Sequence, residues 1–170
     1  MMASLKSCLG ENLLLVGISA FTGYQLTCAL TFAKKVRSVD PLVKLVWGGP
    51  HVTALPKESI RSPYVDACVE GYGEWSFTEL SNKLRAGEDP GHIKGVYWKE
   101  KNGEITSIPA KSDMHFLDNA PPMPYHLIDV PKYINPETKS VTYMTSYGCP
   151  SRCTFCYTPL DTFFIQQGPN

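Results

Sequence analysis

Residues 13–49 read LLLVGISAFTGYQLTCALTFAKKVRSVDPLVKLVWGG, and this stretch decides the fold. The opening run, Leu13–Ser19, is apolar almost throughout, which suits a strand buried on both faces. With Lys6 upstream, the stretch to Phe21 has the outline of a secretory leader. Glu11 interrupts it, and the run passes straight into a helical pattern, so we read a buried strand. Thr22 and Gln25 have the spacing of a capping box. Leu26, Ala29, Leu30, Ala33 and Val36 then recur on one helical face. Lys34, Lys35 and Arg37 follow at the end where the helix dipole favours cations, and Asp40-Pro41 stops the helix. Residues 43–47 (VKLVW) form a second strand running into Gly48-Gly49-Pro50-His51.

Working outward, Pro56 opens a short helix through Ile60. Residues 65–70 (VDACVE) read as a third strand, ending in Gly71-Tyr72-Gly73-Glu74. A second long helix follows, with Phe77, Leu80 and Leu84 on one face, Lys83 and Arg85 in its last turn and Gly87 at its C-cap. This alternation predicts an α/β fold with an open, mostly parallel, Rossmann-like sheet. Such sheets bind ligands outside the carboxyl ends of their strands. All three strand ends here carry glycine. One such glycine needs only a turn to explain it; three at equivalent places point to a ligand approaching the backbone.

Ile93–Trp98 and Ile105–Ile108 flank Asn102-Gly103, a hairpin signal. Prolines 109, 121, 122, 124, 131 and 136 then exclude helix and central strand. Val141–Tyr147 (VTYMTSY) reads as a new strand that delivers Gly148-Cys149. The expected domains are an α/β domain over 1–108, a Pro-rich linker over 109–138, and the start of a second domain over 139–170.

The chain of 170 residues has 16 basic and 16 acidic side chains. That balance argues against a protein that binds nucleic acid by broad phosphate neutralisation. Hydrophobic residues at 43 % are too many for a disordered chain, and no apolar run is long enough for a membrane span.

Six cysteines stand at 8, 28, 68, 149, 153 and 156. Cys28, in the helix, and Cys68, in the strand, are expected to be small buried hydrophobes. Cys149-Pro-Ser-Arg-Cys153-Thr-Phe-Cys156 has the spacing CxxxCxxC. Three thiolates on one loop can converge on a metal. Structural zinc usually wants four ligands, and no second pair is present. A three-cysteine loop suits a 4Fe-4S cluster with one open iron.

This loop, with Phe155 before its last cysteine and a strand before it, resembles the radical S-adenosylmethionine enzymes. The resemblance implies that Cys149, Cys153 and Cys156 hold a 4Fe-4S cluster whose fourth iron chelates S-adenosylmethionine, with Phe155 beside it. The site would open a (β/α) barrel, at the carboxyl end of its first strand. The resemblance further implies a reductive cleavage that yields a radical, with an electron donor of the flavodoxin or ferredoxin type.

The first domain resembles cobalamin-binding domains, which carry S-x-L followed about 26–28 residues later by Gly-Gly. Here Ser19-Ala20-Phe21 is followed by 26 residues and then Gly48-Gly49, with Phe21 in place of leucine. Gly48–Thr53 (GGPHVT) and Glu70–Glu74 (EGYGE) also look like the cobalamin-dependent radical subfamily. The resemblance implies that Ser19, Thr22, Gly48, Gly49, His51 and Gly71 contact cobalamin, the serine and paired glycines at its nucleotide tail. His51 has two readings: a loop histidine satisfying a backbone group, or a contact to corrin. No D-x-H-x-x-G element surrounds it, so it is not assigned as a cobalt ligand.

The family's D-x-H-x-x-G element would fall before residue 1, and its Gly-Gly-Glu strand beyond Asn170. The expectation is therefore a fragment, inactive alone, of an enzyme that transfers a methyl group to an unactivated carbon or performs a related radical reaction. Free cysteines and a cluster imply a reducing, cytoplasmic setting. The alternative is a non-catalytic cofactor-binding module with a zinc or electron-transfer iron–sulfur site. A methylthiotransferase, with Cys8, Cys28 and Cys68 as a second ligand set, is a third reading. The substrate, a small molecule, is not legible.

Overall fold

The computed structural model describes residues 13–110, 124–141, 154 and 155. The chain divides into two compact units, residues 1–111 and 112–170.

In the first unit, β1 (Leu15–Ser19) leads into α1 (Tyr24–Val39) and β2 (Lys44–Gly48). Two single-turn helices, α2 (Pro50–Ala54) and α3 (Pro56–Ile60), precede β3 (Ala67–Val69). Then come α4 (Glu74–Ala86) and the pair β4 (Val96–Lys99) and β5 (Ile105–Ile108). The five strands form one sheet in the order β1-β2-β3-β4-β5.

β1, β2 and β3 are parallel, whereas β3–β4 and β4–β5 are antiparallel. The sheet is thus mixed, with a parallel core, and not mostly parallel as the alternation predicts. The cause is the connection after α4. Residues Gly87–Gly95 form an irregular segment of nine residues, able to span about 30 Å. It carries the chain back to the carboxyl end of β3, where Val96 pairs with Val69.

Side chains alternate between two cores, as the strand period requires. Val16, Ile18, Leu45, Trp47, Cys68 and Tyr97 face Ala33 and Val36 of α1, Val52 of α2 and Ile60 of α3. Leu15, Val46, Ala67, Val69, Val96 and Trp98 face Phe77, Leu80 and Leu84 of α4. Full burial of a side chain such as Leu45 or Leu80 contributes about 1.5–3 kcal/mol. The apolar stripes of α1 and α4 therefore pack as their spacing predicts, and Gly87 ends α4 in the left-handed conformation.

Two local expectations need correction. The N-cap of α1 is Gly23, with no side-chain cap, so Thr22 and Gln25 do not form a capping box. Gly23 has φ 102°, and that turn ends the loop before Thr22 can take the cap position. Cys28 is exposed, because it lies off the stripe that Ala33 and Val36 define; Cys68 is buried as expected.

The amino ends of the strands are held by a polar cluster. Arg37 on α1 pairs with Asp66, which also accepts the Leu45 N–H at 2.7 Å. Lys99 donates to the carbonyls of Ser62 and Val65, at 2.7 Å each. Burial lowers the pKa of Lys99, and nearby Asp66 opposes that shift.

In the second unit, two single-turn 3-10 helices span Tyr125–Leu127 and Val130–Tyr133. Asn135 Oδ1 then accepts the N–H groups of Glu137 and Thr138, at 2.8 and 3.1 Å. Beyond Val141, the predicted strand at 141–147 lies outside the described residues, as do Cys149, Cys153 and Cys156.

Candidate functional site

A cleft of about 460 Å³ opens at the carboxyl ends of β1, β2 and β3, on the α4 side of the sheet. Its floor is Gly17 and Ser19 of β1, Val46 and Gly48 of β2, and Val69 of β3. Parallel register places Gly17 opposite Val46 and Ser19 opposite Gly48, so small residues alternate with valines across the floor. Gly71, Tyr72 and Gly73 form one rim. Glu74, Phe77 and Thr78, from the first turns of α4, form the wall above.

The strand ends are stitched together. The Ala20 N–H donates to the Gly48 carbonyl at 2.8 Å, and the His51 N–H to the Ala20 carbonyl at 3.0 Å. Thr53 Oγ1 donates to the Gly49 carbonyl and accepts the Gly71 N–H, both at 3.0 Å. One hydroxyl thus fixes the loop after β2 against the loop after β3.

The two glycines of the Gly48-Gly49 pair do different work. Gly49 has φ 88° and ψ −177°, a region open essentially to glycine alone. A Cβ there would stand 2.8 Å from Ser19 Oγ and 3.0 Å from the Ala20 nitrogen. Gly49 therefore lets two loops of the protein meet. A Cβ on Gly48 would make only ordinary contact with Val69, at 3.6 Å, on the cleft side.

Of the residues singled out from sequence, Ser19, Gly48, Gly49 and Gly71 come together around the cleft. Thr22 and His51 do not line it; they bond to each other, Thr22 Oγ1 to His51 Nδ1 at 3.1 Å. Phe155 is 91 % exposed. Sequence reasoning missed Gly17 and Phe77 as cleft residues. Gly17 sits inside an apolar run, and Phe77 falls on the stripe that marks a core face. For Gly17 the signal was strand period: it lies two residues before Ser19, on the same face of β1.

Two buried groups near this end are held protonated. Burial pushes the Cys68 thiol up to about 12. Burial, with the Glu70 carboxylate beside it, pushes Tyr97 up to about 12. Among the described residues, no group of three or more histidine, cysteine, aspartate or glutamate side chains is placed to hold a metal ion. No helix among them is long and apolar enough to cross a membrane.

An apolar, glycine-floored cleft at the carboxyl ends of parallel strands defines a cofactor-binding α/β domain. Residues 5–81 match the family model described as the B12 binding domain. The chain is 37 % identical over 147 residues to an uncharacterised methyltransferase of Pyrococcus horikoshii, covering 86 % of this chain and 32 % of that protein. It is 31 % identical over 129 residues to the cobalamin-dependent radical SAM methyltransferase TokK of Streptomyces tokunonensis, covering 73 % and 19 %. The solved structure of the cobalamin-dependent S-adenosylmethionine radical enzyme OxsB shares the fold, with TM-score 0.62 and 20 % identity over 91 % of this chain and 21 % of that one. So does TsrM, a radical S-adenosylmethionine methyltransferase of Kitasatospora setae, with TM-score 0.52 and 20 % identity over 64 % and 21 %.

The chain carries a B12-binding domain, homologous to that of the cobalamin-dependent radical S-adenosylmethionine methyltransferases. It spans about a third or less of the length of these curated relatives. The cleft fits such a cofactor. Its floor has no side chain at Gly17 and Gly48 and is apolar at Val46 and Val69, Phe77 lines its wall, and its polar side chains, Ser19, Tyr72, Glu74 and Thr78, are few.

Proposed function

We propose that this chain supplies the cobalamin-holding part of a radical S-adenosylmethionine methyltransferase, and that the cleft takes the nucleotide tail of cobalamin. The observation that carries this reading is the glycine floor. Gly17 and Gly48 leave two floor positions without side chains, Ser19 adds only a small hydroxyl between them, and Phe77 lines the wall above. Ser19 Oγ would hydrogen-bond to the tail, Gly48 would admit it against the backbone, and Thr53 would keep the Gly71 rim in place. Cobalamin, when bound, supplies a cobalt-held methyl group for transfer.

The same proposal extends to the cysteine loop. Cys149, Cys153 and Cys156 would hold a 4Fe-4S cluster that chelates S-adenosylmethionine, with Phe155 beside it and a flavodoxin- or ferredoxin-type protein as electron donor. The reaction is then methyl transfer to an unactivated carbon of a small-molecule substrate, or a related radical reaction, in a reducing, cytoplasmic setting.

Anaerobic reconstitution with iron and sulfide, followed by metal and sulfide analysis, tests this. The expected product carries a cluster whose reduced electron paramagnetic resonance signal shifts on adding S-adenosylmethionine. Replacing Cys149, Cys153 and Cys156 by alanine should abolish the signal. One zinc per chain and no labile sulfide would instead establish a non-catalytic module.

A further inference from the structure

We infer that the Glu70 carboxylate is a latch: it ties the outgoing end of β5 to the rim of the cleft, so that the rim and the exit of the strand open together or not at all. The inference concerns the device itself and holds whatever the cleft binds.

Three observations lead to it. First, the ladder between β4 and β5 ends at Val96 and Ile108, and the Ala110 N–H goes instead to a side chain 40 positions earlier, donating to Glu70 Oε2 at 3.1 Å. That half-buried carboxylate is braced from the core, since the hydroxyl of buried Tyr97 stands beside it. Second, Glu70 is followed directly by Gly71, whose N–H is held by Thr53 Oγ1 at 3.0 Å. Adjacent residues thus carry ties that lead in different directions, one to the loop after β2 and one to the end of β5. The rim at Gly71, Tyr72 and Gly73 cannot lift without drawing on both. Third, the surroundings leave no slack. The Gly95 carbonyl accepts the Glu70 N–H at 2.8 Å, and the Gly95 N–H donates to the Ile108 carbonyl at 2.7 Å. Gly95 has φ 75°, and a Cβ there would stand 3.1 Å from Ser76 Oγ, 3.2 Å from the Glu70 carbonyl oxygen and 3.4 Å from the Ala110 Cβ. The rim, the first turn of α4 and the end of β5 therefore close around one residue that has no side chain. Elements packed this tightly move between discrete arrangements and do not deform smoothly. The carboxylate is the side-chain tie that holds this arrangement.

The test is residue-resolved hydrogen exchange of the whole isotope-labelled chain by nuclear magnetic resonance. Amides freed by one local opening share one protection factor. In the wild type, Gly71 and Ala110 should therefore be equally protected. Glu70→Ala should lower the protection of Ala110 about tenfold below that of Gly71, the effect of one lost hydrogen bond. Glu70→Gln, which keeps an acceptor oxygen, should leave the two matched. Thr53→Val frees Gly71 from the other side, and should lower both amides by the same factor. The Val46 amide, in central β2, reports global unfolding and separates it from local opening. Circular dichroism confirms that each variant folds. Unequal protection in the wild type, or equal protection that persists in folded Glu70→Ala, would overturn the inference. Should Glu70→Ala not fold, the wild type and Thr53→Val decide alone: a fall at Gly71 with none at Ala110 would overturn it equally.

Discussion

Ser19 and Gly49 are in contact across the ends of β1 and β2, so close that a Cβ on Gly49 would lie 2.8 Å from the Ser19 hydroxyl oxygen. The serine that faces the cleft is thus seated by the glycine behind it. Gly49→Ala combines this clash with a φ of 88°, and should destabilise the domain by about 2–4 kcal/mol. Urea unfolding followed by circular dichroism gives the value. Gly17→Ala should cost less than about 1 kcal/mol in the same assay, since its methyl meets only ordinary contact.

Thr53 joins two loops through one oxygen. Thr53→Val keeps the shape and removes both bonds, leaving the Gly71 N–H without its partner. The expected loss is about 1–3 kcal/mol of stability, with weaker cobalamin retention. Thr53→Ser keeps the oxygen and should restore most of both. Parallel dialysis and unfolding of the two variants separates the hydroxyl from the methyl.

Asp66 accepts from Arg37 and from the Leu45 N–H, with its side chain only 22 % exposed. Asp66→Ala removes the counter-charge of a half-buried guanidinium, which keeps only the Pro41 and Val43 carbonyls, and leaves a strand N–H unpaired. Thermal unfolding should show a loss of about 2–4 kcal/mol. The cleft lies at the opposite ends of the strands, so cobalamin retention by the folded fraction should be unchanged.

Cys68 gives a pH signature. Its thiol is pushed from an ordinary 9.0 up to about 12 by burial, so the folded state holds the proton more tightly than the unfolded chain. The stability this represents is present below pH 9 and is lost as pH rises toward 12. Tyr97 acts in the same sense at higher pH, and Lys99, whose pKa is lowered, in the opposite one. Comparing wild type with Cys68→Ala isolates the thiol. From pH 8 to pH 11 the wild type should lose about 2–3 kcal/mol relative to the variant. At pH 7.5, mass mapping after iodoacetamide should find exposed Cys28 labelled well before Cys68.

The parts of this fold legible in sequence were those governed by periodicity. The Leu26–Val36 stripe and the Phe77, Leu80, Leu84 face each specify a helix and the side it buries, and both pack so. The glycines after β2 and β3 mark the ligand end of the sheet because parallel strands open there. The Asn102-Gly103 turn made β4 and β5 legible as a hairpin, and they pair so. The direction of β4 against β3 was not legible, since an alternation of period two is the same whichever way a strand runs; only the return path through Gly87–Gly95 turns β4 round. The helix α2 went unread because Pro50, which opens it as Pro56 opens α3, lies inside the Gly48–His51 loop signal. Thr22 has the composition of a cap, yet Gly23 holds that place and Thr22 meets His51, 29 positions away. Long-range pairings of that kind leave no local trace.

The mixed sheet has a consequence of parity. β1, β2 and β3 all point toward the cleft, β4 points away from it, and β5 points toward it again. Two reversals cancel, so the chain leaves β5 at the end where it left β3. Ala110 is anchored there, its N–H donating to Glu70 Oε2 at 3.1 Å, one residue before the Gly71 rim. The last described residue of the first unit, Ala110, therefore stands beside the rim of the cleft. With β4 alone after β3, the sheet would have ended at the opposite ends of its strands.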